Sequence, residues 1–159
     1  MTMSGARILH TIGHSNHSLD KFLGLLTAHK ISTLIDVRSW PSSRRLPHFN
    51  RAALEQSVTP AGMRYLWFGK ELGGKNDGDT AAPTFRSRIG ELAELAERGR
   101  TAMMCAEEDP LHCHRKHLLA APLTLRGVEI VHIRSDGRLV TDAALNADAA
   151  AQLSLFADG

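Results

Sequence analysis

The chain has 159 residues, 43% of them hydrophobic and 23% charged, with a formal net charge of +2. That balance suits one domain with a core of its own, excludes a chain kept unfolded by self-repulsion, and is too weakly basic to prove nucleic-acid binding by bulk charge. No apolar run approaches membrane-spanning length, the opening MTMSGARILH lacks the apolar core of a secretion signal, and two cysteines make no disulfide framework, so a reducing cytoplasm is the expected setting.

In chain order, Ile8 to Ile12 reads as a short strand running into Gly13-His14-Ser15-Asn16. Ser18 or Asp20 caps a helix whose apolar positions Leu19, Phe22, Leu23 and Leu26 share one face as far as His29 and Lys30. Thr33 to Val37 is a second strand, broken only by Asp36 and leaving at Arg38. Strand, helix and strand within about 30 residues make a βαβ unit with parallel pairing. Ser39 to Phe49 holds two prolines and reads as a loop that orders on binding or is partly mobile.

Asn50 caps a helix through Val58, Arg64 to Phe68 is a third strand, and Gly69 to Pro83 is a long polar loop. Phe85 to Gly99 is an amphipathic helix with Phe85, Ile89, Leu92, Leu95 and Ala96 on one stripe. Thr101 to Cys105 is a buried strand, followed by an acidic turn and a helix from about Pro110 to Arg126, kinked at Pro122 and stopped by Gly127. Val128 to Ile133 is the last clear strand, and Ser135 to Arg138 a turn. The expected architecture is α/β: a single layered domain, residues 1–145, with a mainly parallel sheet of about five strands flanked by helices, then a flexible tail, 146–159.

In such a sheet ligands sit beyond the carboxyl ends of the strands, where three polar clusters fall: His14-Ser15-Asn16, Asp36 with Arg38, and Cys105 through Arg115. Asp109 and Pro110 suit a helix start, which places Cys113 near a first turn beside Arg115 and favours a thiolate there, while Cys105 fits a small buried residue equally well. Glu107 and Asp109 suit a general acid and base, or a nucleophile at an anomeric carbon; the alternatives are a helix cap for Asp109 and a solvated or ion-paired Glu107. Arg38 and Arg115 suit a phosphate or carboxylate, or buried ion pairs with Asp36 and Glu107. His14 suits an acid/base or a phosphate donor, or a structural role, and His114 belongs to the same polar cluster. Cys105, His112, Cys113, His114 and His14 are metal-ligand types, but their spacing matches no zinc pattern, so neither metal nor other cofactor is expected. Trp40, Arg44, Arg45, His48 and Arg51 form a basic, aromatic segment suited to approaching phosphates and stacking a base.

Thr-Ile-Gly-His-Ser-Asn from Thr11, Ile-Asp-Val-Arg-Ser from Ile35, Arg-Tyr-Leu from Arg64, Leu-Gly-Gly from Leu72 and Met-Cys-Ala-Glu-Glu-Asp-Pro-Leu-His-Cys-His-Arg from Met104 occur in an order that resembles the DUF488 family. The resemblance covers roughly Ile8 to Leu139 and implies a fold class and a set of important positions, not a reaction. The strand-ending Ile-Asp-Val-Arg and the strand leading to Cys105 are also similar to a rhodanese-like sulfur transferase. The acidic run Glu107-Glu108-Asp109 argues against that reading, since it would repel a thiolate or persulfide.

After Asn146 come small residues and then Gln152-Leu153-Ser154-Leu155-Phe156, which resembles the pentapeptide that binds the bacterial DNA polymerase sliding clamp. A mobile tail would insert Leu155 and Phe156 into an apolar pocket while Gln152 orients it by hydrogen bonding; folding back onto the body is the alternative. The resemblance implies a setting in DNA replication or repair. The expectation is therefore a cytoplasmic, DNA-repair-associated enzyme, recruited by the clamp and acting hydrolytically on a nucleic-acid or nucleotide substrate. A non-catalytic adaptor for clamp and DNA and a sulfur transferase are the alternatives.

Overall fold

The computed structural model describes residues 7–74 and 82–157. Six strands form one sheet: β1 (Arg7–Gly13), β2 (Thr33–Asp36), β3 (Arg64–Trp67), β4 (Thr101–Cys105), β5 (Val128–Ile133) and β6 (Leu139–Thr141), in the spatial order β3-β2-β4-β1-β5-β6. The first five pair in parallel, and β6 returns antiparallel to β5. A mainly parallel α/β sheet is thus present, with one short strand more than expected. Only three residues long, β6 is held by a turn in which Gly137, at φ +88°, donates to the Arg134 carbonyl at 2.9 Å. So short a strand carries no periodicity to read.

Alternation along the strands sends neighbouring side chains to opposite cores. Leu34, Tyr65, Ala102 and Met104 meet α1 (Leu19–Ala28) and α2 (Arg51–Val58) on one face. Ile35, Met103 and Cys105 meet α3 (Gly69–Leu72), α4 (Pro83–Arg98), α5 (His114–His117) and α6 (Ala120–Leu125) on the other. Ser18 caps α1 by accepting from the Lys21 amide at 3.1 Å, and α4 buries the expected Phe85, Ile89, Leu92 and Ala96, while Leu95 is only partly buried.

Three expectations change. The helix over 110–126 is broken into a 3-10 turn at Pro110–His112, then α5 and α6, because Cys113 is extended and serves as the cap of α5. Pro122 does not kink a long helix; it sits in the first turn of α6, where a missing N–H is no loss, and Gly127, at φ +81°, ends it. Within the expected loop 69–83, Gly69–Leu72 forms α3 and buries Leu72, and residues 75–81 lie outside the described residues. The third change is at the end of the chain, where α7 (Asp142–Ala157) begins before the expected boundary at 145 and carries the backbone of Gln152 to Phe156.

The chain leaves β1 towards the α1 face and leaves β4 towards the opposite face, and these strands are neighbours. Such a divergence opens a crevice at the carboxyl ends. Gly13 pairs with Cys105 and Asp36 with Met104, so all three polar clusters leave the sheet at one rim. Gly13 is required there: a Cβ would stand 1.8 Å from the Glu107 carbonyl oxygen and 2.8 Å from Arg115 Nη1. Gly13→Ala is expected to lower unfolding free energy by about 3 kcal/mol. Gly24→Ala, inside α1 with nothing within 4 Å of its added methyl, is expected to raise it by up to about 1 kcal/mol. Urea unfolding midpoints of the two variants check the contrast.

Candidate active site

The rim encloses a cavity of about 450 Å³ whose lining includes His14, Arg38, Trp40, Cys105, Glu107, Cys113 and His114. It brings together six of the nine predicted catalytic residues, from three distant stretches of chain. The arrangement is built on two buried guanidinium groups with different partners.

Asp36 ends β2 fully buried. Arg38 folds back on it, donating from Nε to Oδ1 at 2.9 Å and from Nη2 to Oδ2 at 2.7 Å, and Nη2 also donates to the Phe49 carbonyl at 2.8 Å. The Tyr65 hydroxyl donates to Asp36 Oδ2. Burial and the adjacent Asp36 charge push that phenol well above its ordinary pKa, so it keeps its proton. Tyr65 sits opposite Leu34 in the parallel ladder, on the same sheet face as Asp36, a position that no local pattern reveals. For Arg38 the buried ion pair is therefore present; its Nη1 has no partner among the described residues, and the side chain lines the cavity.

Arg115 is fully buried, and the alternative of an ion pair with the Glu107 carboxylate is not formed among the described residues. Its Nη1 donates to the Glu107 carbonyl at 2.6 Å and to Cys105 Sγ at 2.9 Å, and Nη2 donates to the Glu108 carbonyl at 2.7 Å. Burial lowers its pKa to about 10, which leaves it charged at neutral pH. Of the acidic run, Glu108 turns away to Arg134, at 2.9 and 3.2 Å, and Asp109 caps the following turn by accepting from the Leu111 amide at 3.0 Å. Of the three, Glu107 is the one that lines the cavity.

The two histidines of the cavity have assignable tautomers, because a carbonyl can only accept. His14 Nδ1 donates to Ser15 O at 2.8 Å, leaving Nε2 as an acceptor without a described protein partner, and the ring stacks on Phe49. Burial lowers its pKa to about 4, and the Arg38 charge acts the same way. His114 Nε2 donates to Val37 O at 2.9 Å, leaving Nδ1 bare 3.7 Å from Cys113 Sγ. Its pKa is lowered by burial as well. Both imidazoles are neutral bases at pH 7. The sulfurs of Cys105 and Cys113, which the sequence reading treated separately, lie in bonding contact. Among the described residues no group of three or more His, Cys, Asp or Glu is placed to hold a metal ion.

The basic segment divides. Trp40, 68% exposed, stands at the cavity, and Arg44 and Arg45, next in the chain after the lining residues Ser42 and Ser43, are exposed. His48 instead donates to His17 O at 3.0 Å and packs on Phe49, while Arg51 lies over the Trp67 ring at 4.8 Å. His112 of the polar cluster also lines the cavity, as do Ser42 and Ser43, which nothing in their local sequence marks apart from proximity to the motifs. Gln152 is exposed, and the side chains of Leu153, Ser154, Leu155 and Phe156 lie outside the described residues.

The family model described as a domain of unknown function, DUF488, matches residues 18–121, more than half of the chain. No curated protein and no solved structure matches it.

Two outcomes test this electrostatic reading. Asp36→Ala strands the buried Arg38 charge and is expected to lower stability by about 3–5 kcal/mol, whereas Tyr65→Phe removes one hydrogen bond and is expected to lower it by about 1–2 kcal/mol. His14 and His10, both lowered to about 4 mainly by burial, favour the neutral form in the folded chain. Their contribution is complete above the unfolded value of 6.5 and is lost as pH falls from there towards 4. For His14 this is on the order of 3 kcal/mol, so urea unfolding between pH 7 and 4.5 should show a slope that His14→Gln flattens.

Proposed function

Because the chain belongs to the DUF488 family, whose description assigns no reaction, we propose a function from the site itself: a DNA-repair-associated enzyme that hydrolyses a nucleic-acid or nucleotide substrate in the rim cavity and is recruited by the bacterial sliding clamp. The observation that carries it is the convergence of His14, Arg38 and Glu107 on one cavity, with a neutral imidazole whose Nε2 is free to take a proton. In this reading His14 Nε2 accepts a proton from the attacking water, Arg38 faces an anionic group, and Glu107 serves the leaving group or the developing positive charge. Trp40, Arg44 and Arg45 provide an exposed aromatic face and two cations for a nucleic-acid strand. Recruitment rests on the likeness of Gln152 to Phe156 to the clamp-binding pentapeptide.

Sulfur transfer is a second reading that one observation favours. The objection from the acidic run weakens when Glu108 is tied to Arg134 and Asp109 caps a turn, and Arg115 donates directly to Cys105 Sγ. Exposure to a sulfur donor followed by intact-mass measurement separates the readings, since a persulfide on either cysteine supports transfer.

His14→Gln and Glu107→Gln are each expected to lower hydrolysis of single-stranded or damaged oligonucleotides by about 10²-fold or more while keeping the wild-type melting profile. Full turnover in both variants would overturn the assignment of the site. Pull-down of a bacterial sliding clamp is expected to fail when Gln152, Leu155 and Phe156 are replaced by alanine; equal recovery would remove the recruitment step.

A further inference from the structure

We propose that Cys105 and Cys113 form a reversible dithiol–disulfide couple, reached through the rim cavity, that exchanges two electrons with an external dithiol, and that Cys113 is the sulfur that carries the mixed disulfide. This activity goes beyond the hydrolytic reading and does not depend on it.

The two sulfurs come from different elements, the end of β4 and the cap of α5, and meet at the wall of a cavity open to small molecules. Their surroundings are unequal. Arg115 carries a buried charge whose described hydrogen bonds end on two carbonyls and on Cys105 Sγ. The Glu108, Asp109 and Glu107 carboxylates act on this guanidinium only through space, and a Cys105 thiolate at 2.9 Å supplies the direct counter-charge. Among the described residues Cys113 Sγ meets no such cation; it accepts only from the Arg115 backbone amide, at 3.5 Å. It has His114 Nδ1 beside it, unprotonated because Nε2 donates to Val37 O. The remaining titratable or charged groups at the cavity are His14, neutral; Arg38, paired with Asp36; His112; and Glu107. Glu107 is the one carboxylate of the cavity wall among the described residues.

This asymmetry sets the direction of exchange. A thiolate of the external dithiol attacks Cys113 Sγ, the Cys105–Cys113 bond breaks, and its electron pair leaves on Cys105, the better leaving group because Arg115 holds the anion. The second thiol of the donor then attacks the mixed disulfide; its proton passes to His114 Nδ1 and from there to Cys113 as that sulfur leaves. The donor becomes a disulfide and the protein gains two electrons. In reverse, His114 takes the Cys113 proton, Cys113 attacks the incoming disulfide, and Cys105 resolves the mixed species.

The test uses the full chain. Equilibration with mixtures of reduced and oxidised dithiothreitol, followed by iodoacetamide and mass measurement, is expected to show both cysteines changing together in one two-electron transition. The oxidised protein, briefly exposed to glutathione and quenched in acid, is expected to carry the adduct on Cys113 about tenfold or more over Cys105 by peptide mapping. In Cys113→Ser, shown to be folded by circular dichroism, thiolate absorbance at 240 nm from Cys105 should persist at pH 7. Two cysteines that alkylate independently at every ratio, or an adduct mainly on Cys105, overturn the proposal. If Cys113→Ser does not fold, the two measurements on the unaltered chain still decide it.

Discussion

Arg115 is the largest fully buried side chain among the described residues, and its guanidinium spans the gap between the start of α5 and the loop that leaves β4. By donating to the Glu107 and Glu108 carbonyls, it replaces the backbone partners that a loop outside the sheet would otherwise have to find in water. The loop is then pressed onto β1, where only a residue without a Cβ fits, and the His14 and Ser15 amides donate to the Cys105 and Ala106 carbonyls at 2.9 Å each. One buried charge therefore sets the height of the loop, and with it the places of Glu107, Cys105 and His14.

The second guanidinium works differently. Arg38 is neutralised by Asp36 in a bidentate pair that Tyr65 completes, so it is a fixed wall more than a free charge. The Trp67 indole donates to its backbone carbonyl at 2.8 Å, and Gly69 passes so close that a Cβ would meet the same oxygen at 1.8 Å. Burial keeps His14 and His114 neutral, so the chemistry available between the two walls is that of unprotonated bases and sulfur, next to a cation that no carboxylate touches among the described residues. A site of this kind favours proton abstraction and thiol exchange over acid catalysis at neutral pH.

The fold was legible where a pattern was local. Five of the six strands, the α1 cap at Ser18 and the buried stripe of α4 each follow from runs, caps or periodicity within a few residues. The convergence of the polar clusters was legible too, because βαβ connectivity places strand ends on one rim. What escaped depends on partners remote in sequence. The hold of Tyr65 on Asp36 needs the β2–β3 register; Arg115 grips carbonyls, which carry no side-chain signature; and the meeting of Cys105 with Cys113 depends on the break at Cys113 that splits the expected helix. For the basic segment, the contacts of His48 with His17 O and of Arg51 with the Trp67 ring likewise depend on partners remote in sequence.

The end of the chain is tied to the same framework. Asp142, at the start of α7, accepts from His132 Nε2 at 3.0 Å and lies 3.0 Å from Lys116 Nζ. His132 in turn takes the Thr11 hydroxyl on Nδ1 at 2.7 Å, deep in β1. Against burial, which would raise it, these hydrogen bonds hold the Asp142 carboxyl below its usual range, while burial keeps His132 from charging. Lys116 follows Arg115 directly on α5, so the short helix that fixes the cavity loop also fixes the first turn of the helix leading to Gln152. The root of the last segment and the wall of the cavity therefore share one anchor, and a shift of α5 would be felt at both.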